Sequence, residues 1–277
     1  MQLEEKALAF RCGEDHLYGV LSAPPCPAAR GVLIVVGGPQ YRAGSHRQFT
    51  LLARSLAAAG TPAMRFDYRG MGDSEGAPRD FTAVGDDLAA AIDHFFAVQP
   101  GLREVVLWGL CDAASAILFY AGADHRVAGI ALLNPWARTE EGLARATLKH
   151  YYGRRLLAPE FWAKLARGRF DVAGSARSAW RMLAAAAGSP APAASSLSER
   201  MREGLARFDG KVLLMLSGAD LTAREFAGLA AGSPEWQDLL GAPRVTRQQL
   251  AGADHTCSRR VWQDQVAEWT SAWLRAW

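Results

Sequence analysis

The sequence predicts an α/β fold built on a mostly parallel, eight-stranded sheet with helices on both faces. Three observations carry the prediction. Apolar runs such as Gly31-Val32-Leu33-Ile34-Val35-Val36 are near-continuous, the pattern of strands covered on both faces. These runs alternate with segments of helical period, the rhythm of βα crossover units. One run, Glu104-Val105-Val106-Leu107-Trp108, leads directly into Gly109-Leu110-Cys111-Asp112-Ala113, a strand-to-helix turn whose small residues flank a cysteine.

In chain order, residues 8–12 and 17–21 flank Gly13-Glu14-Asp15 and read as an antiparallel hairpin. The buried strand over 31–36 follows, then a helix over 49–59 ended by Gly60, then a strand over 62–67. Thr82 is placed to N-cap a helix over 83–97, with Asp86 and Asp87 favourable in its early turns. After the turn at Cys111 and its helix come strands over 127–134, 212–217 and 245–250. An amphipathic helix over 261–277 closes the fold, with Val261, Trp262, Val266, Trp269, Trp273 and Leu274 mostly along one face.

Between Asn134 and Lys211 the βα rhythm stops. The reading is therefore a core of residues 1–136 and 208–277, with 137–207 inserted after the sixth strand as a helical cap. Helical pieces are expected over 140–152 and 160–166. The run over 184–196 is of low complexity, and the stretch over 188–198, with Pro190 and Pro192, reads as mobile or disordered.

Composition narrows the function class. The chain has 277 residues, a net charge of +3 and 50% apolar residues. Its charge is spread, which argues against nucleic acid as a partner. No segment reaches the roughly 18 uninterrupted apolar residues of a membrane span, and no basic-then-apolar leader opens the chain. Four scattered cysteines, none in a Cys-x-x-Cys pair, argue against a disulfide scaffold and against zinc. The expectation is a cytoplasmic protein with no metal, no cofactor and no stable membrane insertion, where a lone thiol stays reduced and reactive.

That thiol is Cys111. An elbow of the Gly-x-Ser-x-Gly kind holds its nucleophile on a strained turn between strand and helix, with small residues two before and two after. Here Gly109 and Ala113 stand at those positions. A thiol nucleophile needs a base, and the base an orienting acid. Asp220 follows the strand over 212–217, and His255 follows the last strand, in the order nucleophile, acid, histidine. Taken alone Cys111 reads as a small buried hydrophobe; the ordered coincidence with Asp220 and His255 turns the balance to catalysis.

An oxyanion hole needs two preorganised N–H groups. One is expected from Asp112, at a helix N-terminus. The other comes from Gly37-Gly38-Pro39-Gln40, where Pro39 has no N–H, so Gly38 is the donor and Gln40 the fallback. The Asp112 side chain works against the thiolate unless it points to solvent or to an arginine. Arg42, His46 and Arg47 are candidate partners for it. Gln40, Arg42, His46 and Trp136 are candidate substrate contacts, and Trp136, Trp162 and Trp180 an apolar acyl pocket. His16, His94, His125 and His150 fall at surface or helix positions, Asp254 reads as structural, and Cys257 as a bystander thiol.

Together these residues resemble the α/β-hydrolase superfamily. Phe66-Asp67-Tyr68-Arg69-Gly70-Met71-Gly72-Asp73-Ser74-Glu75-Gly76 resembles its Asp-x-Arg-Gly-x-Gly-x-Ser segment. Gly37-Gly38-Pro39 is similar to the His-Gly-Gly-Pro loop of peptidase-like members, with Val36 in place of the histidine. The stretch from Val36 to Phe49 is similar to the exosortase A system-associated hydrolases, type 1, bacterial proteins linked to exopolysaccharide and protein-sorting loci. Cysteine at the elbow is also a feature of dienelactone hydrolases, which have a Cys-His-Asp triad but only a small cap. The resemblance implies an α/β-hydrolase fold and an ester or thioester hydrolase acting through an acyl-enzyme on a small-molecule acyl substrate. Two other readings stand beside it: an acyltransferase using the same acyl-enzyme, and a non-catalytic binding protein on the same fold. The tryptophan-rich closing helix offers a face for a homodimer.

Overall fold

The computed structural model describes residues 3–38, 40–137 and 196–277. By its contacts the chain divides into Met1–Ala137 with Glu199–Trp277, and Arg138–Ser198. The expected helices over 140–152 and 160–166, the low-complexity run, Trp162 and Trp180 lie outside the described residues, as does Pro39.

The core sheet has eight strands: β1 Glu4–Cys12, β2 Asp15–Ala23, β3 Arg30–Val35, β4 Ala63–Phe66, β5 Glu104–Leu110, β6 Val127–Leu133, β7 Lys211–Ser217 and β8 Val245–Leu250. Their order is β1-β2-β4-β3-β5-β6-β7-β8. β1 and β2 pair antiparallel, as do β2 and β4. Every pairing from β4 through β3 to β8 is parallel. The mostly parallel sheet is as the sequence predicts. The hairpin strands run further than expected because Cys12 and Asp15 already pair across the turn. Gly13 sits there at φ 63°, a positive value that glycine adopts without a Cβ clash.

The central strands explain their apolar sequences. Val32, Ile34, Val106 and Trp108 point to one face, where they meet α1 (Gln48–Ala58) and the closing helix α7 (Arg260–Arg275) through Phe49, Leu52, Leu56, Val266, Trp273 and Leu274. Phe49 meets Trp108 edge-on at 5.8 Å. The opposite face takes α2 (Gly85–Val98), whose Phe95 lies so close to Gly31 that a Cβ there would come within 2.6 Å of the ring.

Three local elements differ from the sequence reading. Thr82 does not cap α2. Asp80 accepts the Thr82 N–H at 2.9 Å and closes a separate 3-10 turn over Phe81–Ala83, so α2 starts only at Gly85. Asp86 and Asp87 stand in its first turn as expected, and the fully buried Asp87 also holds Arg69. Helix α4 (Leu197–Arg207) falls in the span assigned to the insertion. Its Gly204 lies against α3 (Asp112–Tyr120), where a Cβ would come within 1.9 Å of the Leu118 carbonyl. Two short helices, α5 (Leu221–Ala231) and α6 (Pro234–Gly241), separate β7 from β8.

Candidate active site

The strands β3, β5, β6, β7 and β8 bring their C-terminal ends to one sheet edge, the place where open α/β sheets assemble ligand sites. β5 ends at Leu110, and Cys111 joins it to α3 with φ 62° and ψ −124°. Such a conformation costs a non-glycine residue about 1–3 kcal/mol and persists only where its surroundings over-determine it. Here the Cys111 N–H donates to the Leu133 carbonyl at 2.9 Å, and the Cys111 carbonyl accepts from the Trp136 N–H at 3.2 Å. Both bonds tie the elbow to β6 and its exit.

Gly109 and Ala113 let strand and helix close on one another. A Cβ on Gly109 would lie 2.7 Å from Ile117 Cδ1, 2.8 Å from the Ala113 carbonyl carbon and 2.9 Å from the Ala114 nitrogen. Two of these are backbone atoms and cannot rotate away. Gly109→Ala is therefore expected to lower stability by about 1–3 kcal/mol, read as a lower urea midpoint at unchanged m-value.

The structure brings Cys111, His255 and Asp220 together. Asp220 Oδ2 lies 2.8 Å from His255 Nδ1. Cys111 lies close enough to act on the same imidazole, and Nε2 is the ring nitrogen that Asp220 leaves to it. Asp220 is itself pinned: as N-cap of α5 it accepts from the Thr222 N–H at 3.1 Å and the Ala223 N–H at 3.2 Å, and it is buried. The imidazole is pushed up to about 10, first by the Asp220 hydrogen bond and next by Cys111, with burial opposing. The shift favours the imidazolium, the form that can donate to both neighbours.

Asn134 is a positioning residue that sequence reasoning missed. Fully buried at the exit of β6, it has φ 49°. Its Oδ1 accepts from the Ser217 N–H at 2.8 Å, while Nδ2 donates to Ser217 Oγ at 2.9 Å and to the His255 carbonyl at 3.2 Å. One amide thus ties the ends of β6 and β7 to the histidine loop. Asparagine tolerates left-handed backbone better than most residues, the one signal the sequence offered. Beyond His255, Asp254 accepts from the Ser258 N–H at 2.9 Å and braces the loop. The Cys257 thiol is pushed up to about 11, chiefly by burial, which keeps it protonated.

The loop after β3 departs from expectation. Arg42 does not face Asp112. Its guanidinium pairs with the buried Asp67 and with Asp73, and its N–H donates to Asp67 Oδ1 at 2.6 Å. Asp67 attracts it because a fully buried carboxylate needs a charged partner. Gly72 leaves room for that carboxylate, since a Cβ there would come within 2.2 Å of it. Ser74 donates to the Asp67 carbonyl at 2.6 Å. The Asp67-to-Ser74 segment is therefore a brace, and Arg42 belongs to the brace rather than to a substrate contact. His46 is exposed, and Gln40 spends its side-chain oxygen on the Ser45 N–H at 3.2 Å. Trp136 is half-buried beside the elbow, edge-on to Phe81 at 5.4 Å.

Of the two N–H groups expected to form an oxyanion hole, that of Gly38 is already engaged. The Gly38 N–H donates to Asp112 Oδ2 at 2.8 Å, and the Ala113 N–H to Asp112 Oδ1 at 3.0 Å. The half-buried Asp112 carboxyl turns to backbone N–H groups at the β3 exit and the start of α3, and to no arginine among the described residues. Gly37 makes room for it, because a Cβ there would fall 2.1 Å from Asp112 Oδ1. Burial raises this carboxyl above the ordinary aspartate range against the pull of the N–H groups. Its charge helps push the nearby Tyr68 hydroxyl to about 12, with burial the larger cause. Among the described residues no cluster of His, Cys, Asp and Glu is placed to hold a metal ion. No helix among them is long and apolar enough to cross a membrane.

The model of the Alpha/beta hydrolase family matches residues 32–269, which span the elbow, Asp220 and His255. The chain belongs to the alpha/beta hydrolase family. This α/β-hydrolase is 33% identical over 87 residues to Quorum-quenching protein AidA of Acinetobacter baumannii (strain MDR-ZJ06), a match covering 30% of this chain and 29% of that protein. Its fold is similar to the esterase Pf2001 of Pyrococcus furiosus, with TM-score 0.67 and 13% identity over 99% of this chain and 93% of the other. It is also similar to a dienelactone hydrolase of Anabaena variabilis ATCC 29413, with TM-score 0.61 and 15% identity over 100% and 99% of the two chains. At those identities the likeness is one of fold.

Proposed function

We propose that this α/β-hydrolase cleaves an ester or thioester through a covalent acyl-enzyme on Cys111, with His255 as acid and base and Asp220 as its orienting partner. The observation that carries the reading is the His255 imidazole held between Asp220, at 2.8 Å from Nδ1, and the Cys111 thiol on a strained elbow. A nucleophile, a base in contact with it and a third group fixing that base form the arrangement that covalent catalysis requires.

In this mechanism the Cys111 sulfur attacks the substrate carbonyl carbon, and the carbonyl oxygen gains the negative charge. Backbone N–H groups of Asp112 and Gly38 would hold that oxygen, aided by the start of α3. The His255 imidazolium gives its Nε2 proton to the departing alcohol or thiol, and the C–O or C–S bond breaks. The neutral imidazole then takes a proton from water, which attacks the acyl-cysteine. Collapse of that second intermediate releases the carboxylic acid and restores thiolate and imidazolium. Asp220 stays a carboxylate throughout, fixing the ring so that Nε2 faces the sulfur.

The resemblance of residues 36–49 to exosortase A system-associated hydrolases supports a role beside exopolysaccharide export, with an acylated metabolite as substrate. The reading is tested by stopping a reaction with p-nitrophenyl butyrate in acid and mapping the protein by mass spectrometry. Butyryl is expected on Cys111 alone among the four cysteines. Butyryl on none of them, with turnover intact, would overturn it.

A further inference from the structure

The two N–H groups of Gly38 and Ala113 hold a carboxylate that belongs to the protein itself. Asp112 Oδ2 stands 2.8 Å from the Gly38 nitrogen, the distance at which a donor serves an oxyanion. Its other oxygen caps Ala113 at 3.0 Å. A substrate oxygen that is to use the Gly38 donor has to take the position of Asp112 Oδ2. The two cannot share it: both are oxygens bearing negative charge in the reaction, and one N–H makes one strong bond.

Several features build this occupancy into the fold. Gly37 has no Cβ, and a Cβ there would stand 2.1 Å from Asp112 Oδ1. Gly38 has φ 59°, which aims its N–H at α3. Among the described residues no arginine or lysine pairs with the carboxylate, and Arg42 is engaged by Asp67 and Asp73. We propose that the Asp112 side chain is a gate on the oxyanion hole, so that acylation of Cys111 proceeds only once the carboxylate has left Gly38. Asp112 then acts as a determinant of reactivity: a small ester with few other contacts supplies little of the energy needed to expel it and acylates slowly, while a full-sized substrate supplies that energy away from the reacting carbonyl.

The proposal rests on Cys111 being the nucleophile, and its test separates the two claims. Two reagents report on different parts of the site. Iodoacetamide alkylates the thiolate by displacing iodide and needs no oxyanion hole; p-nitrophenyl acetate acylates it through an oxyanion. In Asp112→Ala loss of the neighbouring charge raises both rates through the thiolate, and the acylation rate is expected to rise at least about tenfold more than the alkylation rate. Asp112→Asn, which keeps the shape and loses the charge, is expected to lie between the two and serves as the readout should Asp112→Ala unfold. Equal changes in both rates would overturn the gate, because the carboxylate would then act only on the thiolate. A fall in acylation with alkylation preserved would overturn it too, by showing that the carboxyl assists the reaction from where it sits. Retained turnover in Cys111→Ala would instead remove the acyl-enzyme reading.

Discussion

Replacing Cys111 by alanine is expected to reduce kcat/KM for a p-nitrophenyl ester by at least about 10^4-fold, with the fold intact. The thiol carries the bond-forming electrons in the proposed mechanism. Cys257 is buried and its thiol is pushed up to about 11, so it stays protonated at neutral pH. Stability should not fall with activity, because alanine leaves the elbow bonds from the Cys111 N–H to Leu133 and from Trp136 to the Cys111 carbonyl in place. The serine variant is the more searching probe. A hydroxyl attacks only as its base removes the proton, and Asp220, the largest influence on His255, favours the charged ring. Cys111→Ser is therefore expected to lose about 10^2-fold or more at neutral pH, and its kcat/KM should climb towards alkaline pH more steeply than in the parent. Steady-state rates across pH 6 to 10 check both variants. Alanine at 111 with undiminished turnover would end the assignment.

Most of the sheet was legible because its strands announce themselves. The stretches around Val32-Leu33-Ile34 and Leu213-Leu214-Met215 are covered on both faces, so every position had to be apolar. The elbow was legible for a related reason: Gly109 and Ala113 are small because backbone crosses backbone there. What escaped was whatever depends on competition between partners. Thr82 and Asp80 both qualify as caps, and the carboxylate at 80 closed its own turn first. Arg42 had Asp112, Asp67 and Asp73 within the range of a sequence argument; the buried Asp67 won because an unpaired charge costs most where water is absent. Helix α6 could have been read, since Ser233 accepts the Trp236 N–H, Pro234 opens the helix and Glu235 stands in its first turn. Asn134 gave almost no signal, for its role exists only once β6, β7 and the histidine loop are side by side.

The awkward neighbour of the nucleophile is a further case. Chain order alone shows that Asp112 follows Cys111 and starts a helix. It does not show where that carboxylate will turn. The glycines at 37 and 38 decide that, by opening space and offering an N–H.

Asp220→Asn is expected to lower kcat/KM by about 10^3–10^4-fold, and the hydrogen bonds around the side chain show why. Oδ2 accepts from His255 Nδ1 and from the Ala223 N–H, and Oδ1 accepts from the Thr222 N–H. All three partners are donors, which a carboxylate satisfies and an amide cannot. With its oxygen towards His255, the asparagine sets its own NH2 against the Thr222 N–H. Flipped, it sets the NH2 against Nδ1, which then has to give up its proton and turn Nε2 into a donor that cannot act as base. Either way the cap on α5 weakens, for which about 1 kcal/mol is expected, and the histidine loses its first source of stabilised charge. The pH dependence follows from that loss. Folding raises His255 from an ordinary 6.5 to about 10, so the folded protein binds the extra proton between those values. That contribution to stability is complete below 6.5 and is lost as pH rises through about 10. Without the Asp220 carboxylate the ring falls back towards its ordinary value, and the contribution largely goes with it. Thermal melts of parent and Asp220→Asn should accordingly differ most near pH 6 and draw together above pH 10. A gap in melting temperature that stays constant across this range would mean that Asp220 serves α5 as a cap and leaves the histidine's proton untouched.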